Sequence, residues 1–164
     1  MTSNRRSLIV LVLGFTLLGM PGATLGVAWP SMADDLARSL GDLGVLTIVT
    51  GSAYSVMSLA SGNLSRRFSA GRMLVAAAVA AAVALASYSI ADAWWLLIVA
   101  SVPLGASGGV IDAIGNSFVA VRRGPRSMGA VHAAFGFGSM VAPLAMTGLI
   151  AIGAPWRVGF AILA

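Results

Sequence analysis

The chain has 164 residues, 59% of them hydrophobic and only 9% charged, with a net charge of +5. A soluble domain carries about 25% charged residues, so this composition excludes a water-soluble globular domain. It also excludes a nucleic-acid binder, which needs a solvated basic face, because the basic residues here fall in short clusters between apolar runs.

A hydrocarbon core of roughly 30 Å takes about 20 apolar helical residues to cross, and five runs meet that length. The first, residues 8–29, follows Arg5 and Arg6. A basic start before an apolar run also describes a cleaved signal peptide. This run is long, contains Gly and Pro, and has no A-x-A-like site at its end, so it is read as a membrane span. It carries Gly14, Gly19, Gly22 and Gly26 around Pro21. Helices in lipid pack through small residues, so Gly22 and Gly26, four apart, are expected to line an interface. The second run is residues 45–64, and the third, 73–90, is smooth and rich in Ala.

The fourth run, residues 95–121, reads GASGGVIDAIGN from Gly105 to Asn116. Its glycines, Gly108 among them, are expected to pack closely. The fifth run, 128–152, carries His132, Gly136, Gly138, Gly148 and Pro143, with Gly136 and Pro143 expected at an interface. The sixth starts at Trp156 and reaches Ala164, too short to span. The expected fold is an all-α integral membrane bundle of six helices with the sixth truncated, a single unit over residues 1–164. The short sixth helix points to a fragment of a longer protein or to a short form that needs a partner.

LGMPGA at residues 18–23 faintly resembles LGASGG at 104–109, sharing the pattern L-G-x-x-G in spans that run in opposite directions. An inverted three-plus-three repeat produces such a pattern, and interrupted helices at matching places point to the binding site of a transporter.

Arg5 and Arg6, then Arg66, Arg67 and Arg72, then Arg122, Arg123 and Arg126 all fall on one side, with no acid among them. Asp34, Asp35, Arg38, Asp42, Asp92 and Arg157 fall on the other. The positive-inside rule therefore predicts a cytoplasmic N-terminus in a multi-pass plasma membrane protein. All four tryptophans, Trp29, Trp94, Trp95 and Trp156, lie on the opposite side, where an aromatic belt is expected. The basic residues are all Arg, and Ala and Gly abound, which suits a GC-rich, bacterial genome.

Asp112 lies ten residues before Arg122, roughly 15 Å from that interface at 1.5 Å per residue. An ionisable group near the midplane costs about 2.5–3.5 kcal/mol on insertion scales and is tolerated where it faces a cavity or a partner. Asn116 follows one turn later on the same helical face. His132, six residues after Arg126, lies at about the depth of Asn116, roughly 9 Å in. With the fourth and fifth spans joined by a short loop, Asp112, Asn116 and His132 are expected to form one polar cluster. One reading makes the cluster a substrate or proton site, since a carboxyl taken out of water favours its neutral form. The other makes it helix glue. One His, no Cys and no Glu leave no set for metal ligation or nucleophilic catalysis, so neither an enzyme nor a cofactor is expected.

The loop GNLSRRFSAGR, residues 62–72, resembles the signature G-x-L-x-D-R-x-G-R-R that follows the second helix of major facilitator superfamily transporters. Gly62, Leu64, Arg67 and Arg72 fit it with one residue inserted. Arg66 stands where the signature has Asp, and Ser69 where it has Gly. The fourth span and HAAFGFGSMVAP of the fifth are similar to the fucose-permease-like branch. The fifth also resembles an antiporter signature, G-x-x-x-G-P, with Ala142 for the second Gly. The resemblance implies the N-terminal six-helix bundle of a secondary transporter, working by alternating access with a second bundle or a second copy. It implies a cytoplasmic gate at Gly62, Arg66, Arg67 and Arg72. It also implies a proton-coupling acid, a role that falls on Asp112 with Asn116 beside it. The first-helix acid of that permease has no counterpart between Arg6 and Asp34. The expected function is secondary transport of a small solute, coupled to protons. A drug or metabolite efflux antiporter of the same fold and a non-transporting membrane remnant are the alternatives.

Overall fold

The computed structural model describes residues 2–123 and 125–164, with side chains from residue 8 onward; the side chains of Arg5 and Arg6 lie outside the described residues. Six α-helices follow one another: α1 (Thr2–Asp35), α2 (Leu43–Leu64), α3 (Ala70–Ser89), α4 (Trp94–Arg122), α5 (Pro125–Ala151) and α6 (Trp156–Leu163). A short 3-10 turn, Leu40–Asp42, precedes α2. Five of these helices are long and apolar enough to cross a membrane. No strand occurs among the described residues.

The interrupted helices expected from Gly and Pro are not seen. α1 runs unbroken through Pro21 and Pro30, α4 through Pro103, and α5 through Pro143. Proline is tolerated inside a membrane helix where neighbouring helices and hydroxyls re-satisfy the backbone. Thr24 Oγ1 donates to the Met20 carbonyl at 2.7 Å and Thr147 Oγ1 to that of Pro143 at 2.9 Å, hydroxyl back-bonds near the prolines that do not reach the Leu17 and Ser139 carbonyls the prolines free. The real breaks are backbone turns. Ala37, at φ 52°, closes the end of α1, and Gly153, at φ 80°, closes α5. The Gly153 and Ala154 amides bond back to Ile150 and Leu149, the pattern that caps a helix in a left-handed residue. At the start of α3 the Ser69 hydroxyl accepts from the Arg72 amide.

The helices divide into two sets. α1 lies along α5, while α2 and α3 both pack on α4, and α6 packs on α3. α4 and α5 touch only sparsely despite the short connection between them. Three apolar cores result. The largest lies at the tryptophan end and joins Trp29, Met32, Leu46, Tyr88, Leu97, Met146, Trp156 and Phe160. A second, of Leu11, Phe15, Val119 and Val131, lies towards the arginine end. The third, of Met73, Ala77, Val110 and Ile114, sits between α3 and α4. The outward face of α3 carries Val75, Val79 and Val83, each more than half exposed, as lipid-facing positions are.

Glycine sets how near the backbones come. A Cβ on Gly138 would overlap the Thr16 carbonyl oxygen, and one on Gly19 the carbonyl of Phe135. Ser139 Oγ donates to the Gly19 carbonyl at 3.0 Å across the same α1–α5 seam. On α4, Gly105 meets the Thr50 carbonyl and Gly109 that of Tyr54, which seats α2 on α4. Gly22, Gly26 and Gly136, expected at interfaces, meet no other helix of the described bundle. Gly108 does pack: a Cβ there would stand 3.2 Å from Leu18 and from the Tyr54 ring. Pro143 is half-buried within α5.

At the tryptophan end the turn before α6 is tied back to the bundle. Arg157 pairs with Asp35 at 2.8 Å and donates to the Ala91 carbonyl through both Nε and Nη2. Trp156 Nε1 donates to the same Asp35 carboxylate at 2.8 Å.

Candidate functional site

Asp112 stands midway along α4, half-buried, one turn before Asn116. The four-residue spacing puts both side chains on one face, and Asn116 Nδ2 donates to Asp112 Oδ1 at 2.9 Å. A third group comes from α2. The Tyr54 ring packs beside it, 3.2 Å from where a Cβ on Gly108 would stand. The glycines at 105 and 109 are what make this approach possible, because any side chain there would hold α2 away.

Tyr54 escaped the sequence reading. It lies ten residues before Leu64, the end of α2, so it shares the roughly 15 Å depth of Asp112. Membrane tyrosines favour the interfaces. A tyrosine in the middle of a span is out of place unless a polar partner awaits it, and that was the available signal.

Asn116 Oδ1 is buried and has no hydrogen-bond partner among the described residues; Thr50 Oγ1 is in the same position. A buried polar atom left unpaired costs about 1–3 kcal/mol. The site therefore combines a carboxylate with an unpaired, buried acceptor beside it.

His132 does not join this cluster. It is exposed on α5 and meets Phe15 edge to face, ring centroids 6.0 Å apart. The expected cluster assumed that a short loop makes α4 and α5 close neighbours. Instead α1 is the helix that packs along α5.

The loop residues Gly62, Arg66, Arg67 and Arg72 are all exposed. The ion pairs among the described residues are Arg38–Asp42 and Arg157–Asp35, both at the other end. The loop arginines thus have no carboxylate partner within the described chain. No group of His, Cys, Asp or Glu among the described residues is arranged to hold a metal.

The family model described as Major Facilitator Superfamily matches residues 11–164. No curated protein and no solved structure matches the chain.

Proposed function

Because the chain belongs to the major facilitator superfamily, a family of membrane transporters, we propose that it moves a small solute by alternating access with Asp112 as its proton-binding group. The observation that carries this reading is one half-buried carboxylate at mid-span, hydrogen-bonded by Asn116 and lying among close-packed glycines of α4. The likeness of the fourth span to the fucose-permease-like branch supports a proton as the driving ion. The face bearing Asp112 would work against a second bundle, either a further part of the same protein or a second copy. The direction of transport in this reading is uptake with protons.

A hydrophobic carbodiimide tests the proton site without any knowledge of the solute, since it modifies carboxyls in their protonated form. The protein in membranes should incorporate it at Asp112, and the Asp112→Asn variant should not. Absence of labelling at Asp112 would remove the proton site.

The proposed orientation puts the arginine end in the cytoplasm. Single cysteines at Ser65 and Ser39 check it with an impermeant thiol reagent on intact cells. Labelling should appear at Ser39 and be absent at Ser65. The opposite pattern would reverse the orientation.

A further inference from the structure

α2 and α3 are consecutive helices, yet both pack on α4 rather than on one another. Between them runs a groove of about 410 Å³, within the roughly 300–1,000 Å³ of small-molecule sites. Met57 and Leu64 form one wall, Met73 and Ala77 the other, and Ser107 and Val110 the floor. Ser107 gives its hydroxyl to the Leu104 carbonyl at 2.7 Å. The groove thus offers hydrocarbon along its length and little for a polar solute to bond. It runs from Arg72 up to Ala80, eight residues or about 12 Å of helix, close to half of the roughly 30 Å hydrocarbon core.

The arginine end of the groove has the opposite character. Arg72 and Phe68 line its mouth. Arg66 and Arg67 line the adjoining crevice, which shares Leu64 and Phe68 with the groove. Arg72 sits in the first turn of α3, which contains no acid. The positive end of a helix dipole lies in that same turn, so the guanidinium adds to its field rather than offsetting it. Residues 62–72 hold three arginines and no carboxylate. A one-leaflet apolar slot opening onto unbalanced positive charge matches a single kind of molecule.

We propose that this groove is a binding site for an anionic glycerophospholipid, with one acyl chain between α2 and α3 and the phosphate held by Arg72 with Arg66 and Arg67. A second copy of the chain is disfavoured as the occupant, because it would bring its own arginines to the same end.

Native mass spectrometry of the protein released from nanodiscs of equal phosphatidylglycerol and phosphatidylcholine tests the site. Phosphatidylglycerol should be retained in preference. Arg72→Gln should weaken its retention about fivefold, the worth of roughly 1 kcal/mol per basic residue near a charged surface. Ala80→Phe, which fills the slot, should also lower retention while the arginines stay in place. Arg72 is exposed at a helix end, so its variant keeps the test decisive if Ala80→Phe fails to fold. Equal retention of the two lipids would overturn the proposal. So would unchanged retention in a folded Ala80→Phe variant, or displacement of the lipid by soluble glycerol phosphate, since either means the groove plays no part. Cross-linking of a cysteine at Ala77 to protein instead of lipid would give the groove to another helix.

Discussion

Replacing Asp112 by Asn is expected to abolish accumulation driven by a pH gradient while leaving exchange of solute across the membrane intact. The substitution keeps the volume and removes the protonatable group. One pH unit is worth about 1.4 kcal/mol per proton, which is a tenfold concentration ratio. In proteoliposomes with the interior one unit more alkaline, a one-proton symporter should concentrate its solute about tenfold. The variant should reach a ratio of about one. Exchange need not release the proton, so counterflow should persist. The alternative is that Asp112 is only a packing group bonded to Asn116. An amide at 112 can still hydrogen-bond its neighbours, and side-chain bonds in membranes average about 0.6 kcal/mol in one measured protein. Transport should then survive. Accumulation near tenfold by the variant would leave Asp112 as a packing residue.

The second large effect is expected at Gly138. A methyl group there would overlap the Thr16 carbonyl oxygen, a backbone atom that cannot swing aside. Overpacking of this kind costs about 1–3 kcal/mol. Gly138→Ala should therefore lower the unfolding midpoint in detergent clearly. Gly136→Ala, two residues away and facing open space, should change stability by no more than about 0.5 kcal/mol. Gly19→Ala strains the same seam. Once α1 and α5 have been pushed apart, both methyl groups are accommodated, so the double variant should cost less than the two single costs added. Additive costs, or a silent Gly138→Ala, would mean that the two helices are not held at this distance.

How much of this the sequence disclosed depended on the kind of information. Apolar run length disclosed the all-helical membrane fold, because hydrocarbon leaves the backbone few alternatives. The Asp112–Asn116 pair was legible because four-residue spacing is a local property of one helix. Helix rotation was not. In water, the apolar stripe shows which face is buried. In lipid both faces are apolar, so a glycine on an interface and one on the outside look alike. That is why the Gly22–Gly26 pair drew the packing role that Gly19 and Gly138 hold. Helix adjacency was equally hidden. The His132 placement failed because α1 packs along α5 while α4 keeps to α2 and α3. The continuity of α1 through Pro21 was missed because the sequence does not display the neighbours that make a membrane proline tolerable.

The depth of Asp112 has an electrical consequence. Moving one elementary charge through the whole membrane is worth about 2.3 kcal/mol per 100 mV. A carboxylate about 15 Å in stands near the middle of a roughly 30 Å core. A proton that reaches it from either face crosses about half the field, worth about 1.2 kcal/mol at 100 mV. That is a sevenfold change in occupancy, roughly 0.8 of a pH unit. Any proton carried at this position responds to voltage as well as to acidity, and an interior-negative potential loads it from outside even when the pH on the two sides is equal.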